Sequence, residues 1–339
     1  MSIKISIVIP TFNEQGYIDK CLNSFHNQSI DNSQFEVLVC DGISTDETVS
    51  IVSEFEALAN FNCKLLLNKK RKTPYALNLG IKHATGKYIT IFGAHAEADV
   101  DFCKNIVEFL EVRDDIACVG GILENVYEND VSKTIGKAMS SNFGVGNVHF
   151  RTGNFEGEVD TVAFGAYRKE VFEKIGYFDE DLTRNQDDEF NFRLTKSNLK
   201  IYLLSKIKAR YFVRASYKKL FKQYLQYGYW KVFVNKKHKA VTSIRQLIPP
   251  LFVAFLILGF VTSFIHPIVK IIYILILLAY FSMGFYKANQ ATNNLQNSFM
   301  ILFTFFILHL SYGWGYLKGM FHFILFDRNP TSKQEEISR

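Results

Sequence analysis

Four polar clusters in the 339-residue chain carry residue types that could do chemistry. Pro10-Thr11-Phe12-Asn13-Glu14 follows the apolar run Ile3–Ile9, Asp41-Gly42-Ile43-Ser44-Thr45-Asp46 follows Phe35–Cys40, and Gly93-Ala94-His95 follows Tyr88–Phe92. An acidic residue that ends a strand can accept hydrogen bonds from a base or a ribose, and equally can close a turn or cap a helix. The fourth cluster, Asn185-Gln186-Asp187-Asp188-Glu189, sets three carboxylates in a row. One of them could take the proton from an attacking hydroxyl, and the same acids suit the positive end of a helix dipole. Neither GxGxxG nor GxxxxGK followed by Ser or Thr occurs, so neither a dinucleotide fold nor a P-loop is indicated.

The elements that must position these clusters are legible as an alternation. Ile3–Ile9, Phe35–Cys40, Cys63–Leu67 and Tyr88–Phe92 read as four strands. Between them, Tyr17, Ile18, Cys21, Leu22 and Phe25 recur at helical spacing. Ser44 with Glu47 makes a capping box ahead of an apolar face of Val49, Val52 and Phe55, and a third helix over about residues 74–84 stops at Gly86. Such alternation predicts an α/β fold with a parallel sheet and right-handed crossovers. Ligands of these sheets bind beyond the carboxyl ends of the strands, where the first three clusters and the basic loop Asn68–Lys72 lie.

In this order and spacing the clusters resemble the inverting glycosyltransferase family 2, whose domain has the GT-A fold, a Rossmann-like nucleotide-sugar-binding architecture. The family pattern P-x-[YF]-N-E is met by residues 10–14 and D-x-x-S-x-D-x-T by residues 41–48. Ala76-Leu77-Asn78-Leu79-Gly80-Ile81 and Ala84-Thr85-Gly86-Lys87-Tyr88-Ile89 match a further family stretch. The resemblance covers about residues 3–230. It implies that Pro10, Thr11, Glu14, Asp41, Arg71, Asn78 and Gly93 bind the nucleotide. Where the family usually has D-x-D for a divalent cation, this chain has Gly93-Ala94-His95. The succinoglycan-type subgroup has D-A-H-A, so His95 fits as a ligand for Mn²⁺ or Mg²⁺ and Gly93 does not, with Glu97 or Asp99 as possible oxygen ligands. The family's E-D-x-E motif places the catalytic base at Asp187, with Asp188 as neighbouring candidate and Gln186 replacing a Glu. Asp160, Phe164 and Gly165 fall in the family's acceptor-side stretch, and Gln223, Tyr227 and Trp230 stand where polymer synthases carry Q-x-x-R-W.

The rest of the chain has different physics. Between Gln246 and Leu317 only Lys270 and Lys287 are charged. The apolar stretches 247–265, 268–286 and 299–317 are each long enough to span ~30 Å of hydrocarbon. The third is diluted by His309, Gly313 and Gly315. Residues 190–245 carry fifteen Lys and Arg and no acid, which suits an anionic inner leaflet better than a nucleic acid. Five cysteines without a CxxC pair read as reduced thiols, and no signal peptide precedes the first strand.

The expected organisation is therefore a catalytic domain over 1–215, a basic amphipathic segment over 216–245, C-terminal transmembrane helices within 246–326 and a polar tail over 327–339. The expected activity is inverting transfer of a sugar from a nucleotide sugar, UDP-linked by the resemblance, to a polyprenyl-linked saccharide. This belongs to surface polysaccharide assembly at the cytoplasmic face of the inner membrane. The rival readings are a polyprenyl-phosphate sugar synthase and a catalytically silent nucleotide-binding scaffold.

Overall fold

The computed structural model describes residues 2–153, 155–242 and 244–330. Residues 331–339 of the expected tail lie outside them. The chain opens with strand β1 (Ile5–Thr11), helix α1 (Ile18–His26), β2 (Phe35–Asp41), α2 (Thr48–Leu58) and β3 (Asn62–Leu67). Helix α3 (Thr73–His83), β4 (Tyr88–Ile91), β5 (Ala96–Ala98), α4 (Phe102–Val112) and β6 (Ile116–Val126) follow. After short helices α5 (Asp130–Met139), α6 (Asn142–Val145) and α7 (His149–Thr152) come β7 (Gly157–Val159) and β8 (Ala163–Arg168). Helices α8 (Lys169–Ile175) and α9 (Gln186–Lys196), strand β9 (Lys200–Phe212) and helix α10 (Tyr217–His238) lead to three long apolar helices. These are α11 (Ile248–Thr262), α12 (Pro267–Ala291) and α13 (Leu295–Gly319).

The chain divides into two compact units, residues 1–126 with 149–212 and residues 127–148 with 213–339. The sequence reading kept 127–148 inside the catalytic domain; here α5 and α6 group with the helical unit instead. The reason is chemical: Ile135, Ala138 and Met139 make α5 an apolar face, and Gly144 admits the Phe305 ring of α13 at a van der Waals approach.

The first unit is built on a nine-stranded sheet. Strands β3, β2, β1 and β4 are parallel, as the alternation predicts. Beyond β4 the sheet becomes mixed, because β8 pairs antiparallel to both β4 and β6. The purely parallel expectation is corrected there, since only the first four strands follow one another through crossover helices. β1 and β2 carry seven-residue runs that are almost wholly buried, the pattern of strands covered on both faces. One face packs α3, α8 and α9 through Leu77, Ile81, Phe172, Phe190 and Leu194. On the other, the rings of Phe25 and Phe102 meet Phe92 edge-on, each at 5.3 Å between centroids.

In the second unit α10 packs along α13, and glycines set the distance. A Cβ added at Gly315 would stand 2.0 Å from the Leu225 carbonyl oxygen, and one at Gly228 would stand 2.0 Å from that of Tyr312. Ser311, Gly315 and Gly319 repeat at four-residue spacing on α13, the small-residue pattern that lets helices approach closely in lipid. The residues that diluted the third apolar stretch are thus its packing surface. Its span window is 50% buried, against 11% and 6% for the other two. All three helices, over 244–262, 267–291 and 295–325, are long and apolar enough to cross a membrane. His309 is also accounted for: its ring nitrogens bond the Tyr280 hydroxyl and the Phe143 carbonyl, each at 2.8 Å.

Candidate active site

The loops after β1 and β2 are laced together by side chain to backbone hydrogen bonds. Asn13 N–H donates to Ser44 Oγ (2.8 Å), and Thr45 N–H donates back to Asn13 Oδ1 (2.8 Å). Glu14 N–H donates to Thr48 Oγ1 (2.8 Å). Asn13 and Ile43 take left-handed backbone conformations at φ 54° and 60°, which turns each loop sharply at the strand end. The ordered family motifs therefore specify one joint between two loops.

Asp41 sits at its centre, fully buried. Its carboxylate accepts Ser44 N–H (2.8 Å), Ser44 Oγ–H (2.6 Å) and Thr11 Oγ1–H (3.2 Å). The capping box expected from Ser44 and Glu47 is absent, because Asp41 has claimed the Ser44 hydroxyl. Helix α2 starts at Thr48 instead, whose N–H is taken by Asp46 Oδ1 (3.1 Å). The Asp41 carbonyl accepts Asn68 N–H (2.7 Å), which ties the basic loop to the same strand end and leaves Arg71 exposed there. Thr11, Glu14, Asp41 and Arg71 thus gather around the end of β1, with Pro10 one residue inside the strand. This is also where the sheet order reverses, the usual ligand position in such folds.

Asn78 is not part of this group. Its amide donates to the Phe178 carbonyl (2.9 Å) and to Glu180 (3.0 Å), and its oxygen accepts Phe178 N–H (3.0 Å). These three bonds tie α3 to the segment before α9, which gives Asn78 a structural role. The Ala84-Thr85-Gly86 stretch is structural in the same way. Thr85 N–H and Oγ1–H both reach Glu36 Oε1, at 2.7 and 2.8 Å, far from the strand ends that hold the loops.

His95 follows β4 and is partly exposed, with Nδ1 3.6 Å from Glu14 Oε1 and its ring against Tyr211. Glu97, one of two expected oxygen ligands, is paired with Arg210 (2.5 Å). Asp99 spends its carboxylate on Asp101 N–H (3.2 Å). Gly93 has no side chain to offer, and the Phe164 ring lies over it. Among the described residues no three His, Cys, Asp or Glu group closely enough to hold a metal ion. The donor set here is one imidazole and one half-engaged carboxylate, which is not a resident site for a hard cation.

At the start of α9 the three acids take separate jobs. Glu189 forms a two-pronged pair with Arg193 (2.8 and 2.9 Å). Arg193 also donates to the carbonyls of Ile175 (2.6 Å) and Tyr177 (2.7 Å), locking the helix to the end of α8. Asp187 is exposed, and its oxygen accepts Asp188 N–H (2.9 Å). Burial, then the charges of Cys118 and Asp187, push the Tyr167 phenol well above its usual range. Tyr167 therefore stays protonated and donates to Asn191 Oδ1 (3.0 Å), fixing α9 from below. Of the acceptor-side residues, Asp160 is exposed, Gly165 is buried beside Tyr167, and Phe164 holds a left-handed φ of 47°. For an aromatic residue that conformation is strained, and strain of this kind collects at functional sites.

The other three lie in the helical unit. Trp230 is fully buried against Phe233 and Phe323, so it is core. Gln223 accepts Arg214 Nε–H (2.9 Å) and donates to Tyr227 Oη (2.8 Å), which links the three side chains in a row. Sequence spacing could not distinguish these surroundings, because they are set by residues distant along the chain.

A model of glycosyl transferase family 2 matches residues 6–176, half of the chain. The chain belongs to that family. This glycosyltransferase is 40% identical over 242 residues to a Methanococcus voltae protein, covering 69% of this chain and 74% of the relative. The relative is named a dolichyl N-acetyl-α-D-glucosaminyl phosphate diacetamido-dideoxy-β-D-glucuronosyltransferase. It is 29% identical over 246 residues to the succinoglycan biosynthesis protein ExoA of Rhizobium meliloti, covering 72% of this chain and 73% of the relative. Among solved structures, a mannosyltransferase from Pyrobaculum calidifontis in complex with GDP-mannose and Mn²⁺ shares the GT-A fold at TM-score 0.59 and 15% identity. That match covers 94% of this chain and 88% of that one. Two functional candidates were missed from the sequence, Ser44 and Tyr211. Ser44 was legible as a conspicuous hydroxyl three residues after Asp41; Tyr211 had no signal within an ordinary apolar strand.

Proposed function

We propose that the enzyme transfers a sugar, with inversion, from a nucleotide sugar to a lipid-linked saccharide at a membrane surface. The observation that carries it is the division of labour at the start of α9. Glu189 is committed to Arg193, while Asp187 is exposed at a helix N-terminus that two arginine–carbonyl bonds hold rigid. In this reading Asp187 takes the proton from the acceptor hydroxyl as that oxygen attacks the anomeric carbon. The leaving nucleoside diphosphate departs from the opposite face, and the configuration inverts. The Asp41 cluster holds the base and ribose side, with Thr11, Glu14 and Arg71 around it.

The Methanococcus and Rhizobium relatives support the acceptor class, since one is named for a dolichyl-phosphate-linked sugar and the other for succinoglycan biosynthesis. The three apolar helices support a multi-pass protein, and the acid-free basic segment before them supports a cytoplasmic catalytic unit beside anionic lipids of the inner membrane. UDP is the base proposed from the family resemblance. A divalent cation, when bound on the donor diphosphate as in the Mn²⁺-containing mannosyltransferase, would stabilise the leaving group's charge. Here only His95 would reach it from the expected ligand set, so every step above is assigned to the chain's own residues.

The test is Asp187→Asn in full-length, detergent-purified protein. Turnover on a polyprenyl diphosphate-linked saccharide falls by about 10²–10⁴-fold, the usual worth of a general base, while UDP affinity is unchanged. Unchanged turnover would remove Asp187 from the chemistry, and transfer only to bare polyprenyl phosphate would replace the acceptor.

A further inference from the structure

The donor site has a charge problem that its own residues pose. A nucleoside diphosphate brings several negative charges, and the leaving group gathers more as the glycosidic bond breaks. Position 93 offers no carboxylate, and a side chain there would crowd Phe164. A Cβ there would stand 3.1 Å from Phe164 Cε1 and 3.9 Å from His95 Cε1. Phe164 cannot easily withdraw, because its ring packs on Phe92 at 4.4 Å and its carbonyl accepts Thr90 Oγ1–H (3.1 Å). Glu97 is turned to Arg210, and His95 faces Glu14. Basic side chains are the remaining source of positive charge, and Arg71 on the loop after β3 is one of them.

Two other basic side chains near His95 are engaged. Arg210 is paired with Glu97, and Lys20 lies over the Phe212 ring at 5.3 Å. Arg151, on α7, differs. Its guanidinium lies over Tyr211 at 5.3 Å from the ring centre, and Tyr211 in turn packs edge-on against His95 at 5.4 Å. Its Nη1 is buried and meets no hydrogen-bond acceptor among the described residues. A buried donor on a permanently charged group, left without an acceptor, is a standing cost that proteins rarely carry for nothing. The guanidinium also lies 5.6 Å from the Phe150 ring centre, and a guanidinium held against aromatic rings can still present its N–H fork to phosphate or carboxylate. Stack and orphan together describe a prepared anion receptor, one aromatic ring away from His95.

We infer that Arg151 binds an anionic oxygen group of the sugar donor, with Tyr211 as the platform that orients it. The inference rests on the donor reading given under Proposed function. Two parts of a donor have the required chemistry: the diphosphate, common to every candidate, and the carboxylate of a uronic acid.

Calorimetric titrations of UDP, UDP-N-acetylglucosamine and UDP-glucuronic acid into the full-length protein separate these sources. EDTA is present throughout so that no cation contributes. Arg151→Ala weakens binding on the order of tenfold to a hundredfold, the loss expected for a charge-assisted pair. Arg151→Lys, which keeps the charge but not the fork, recovers part of that loss, and thermal unfolding of this variant reports whether the fold is intact. Equal weakening of all three ligands assigns the contact to the diphosphate. Weakening confined to UDP-glucuronic acid assigns it to the sugar carboxylate. Wild-type affinity for all three in folded Arg151→Ala or Arg151→Lys protein overturns the inference while leaving the donor reading intact. Failure of the wild-type protein to bind any of them overturns both.

Discussion

Substituting Gly93 by Ala tests why this chain departs from its family at the cation position. The new Cβ would lie 3.1 Å from Phe164 Cε1, several tenths of an ångström inside the ~3.5–4.0 Å at which carbon atoms pack best. Relief requires Phe164 to move, and Phe92, Phe25 and Phe102 are buried rings packed in series behind it. Overpacking of this kind costs about 1–3 kcal/mol. Phe164→Ala removes the obstructing ring, so Gly93→Ala in that background costs almost nothing, and the two substitutions couple by about 1–2 kcal/mol. At roughly 2–4 °C per kcal/mol for a unit of this size, thermal unfolding of the four proteins in one detergent resolves the cycle. Gly93→Ala alone melts several degrees lower, and the double variant melts with Phe164→Ala. An equal loss in both backgrounds would refute the steric reasoning and leave Gly93 without a packing explanation.

Two other expectations follow from burial. Desolvation pushes the Cys40 and Cys63 thiols up to about 12 from the ordinary 9.0, and pushes Cys21, Cys103 and Cys118 higher still. At about pH 8, a thiol-specific disulfide reagent therefore finds no fast-reacting cysteine until a denaturant unfolds the chain, and a native thiol reacting at free-cysteine rates would contradict this. The folded thiols keep protons that the unfolded ones lose, so their contribution to stability is constant below pH 9.0 and declines as pH rises from there toward 12. In the helical unit, Gly315→Ala puts a Cβ 2.0 Å from a backbone oxygen of α10 and forces two helices apart. A loss of at least about 1–3 kcal/mol is expected by thermal unfolding. Gly16→Ala, with nothing within 4 Å of its added Cβ, is the matched control, and equal melting of the two would refute close packing of α10 on α13.

Several features are properties of the sequence alone. The apolar runs at β1 and β2 had to be buried strands, because seven consecutive residues shielded from water leave no exposed face. Phosphate-free strand ends carrying Thr11, Glu14 and Asp41 pointed to one crevice, since a parallel sheet gathers its carboxyl ends on one edge. The three apolar helices were countable from length and hydropathy. What tertiary structure alone decided is which polar group each partner consumes. Asn78 and Asp41 both looked like ligand residues, yet one ties α3 to Phe178 and Glu180 while the other anchors the joint between the loops after β1 and β2. Glu189 and Asp187 are two residues apart in one acidic run, and only the position of Arg193 separates a structural ion pair from an exposed carboxylate. Trp230 reads the same in sequence whether it meets a substrate or fills a core, and Phe233 and Phe323 make it core. Hydrogen bonds saturate and rings exclude one another, so the role of a polar or aromatic residue is fixed by neighbours that lie far away along the chain.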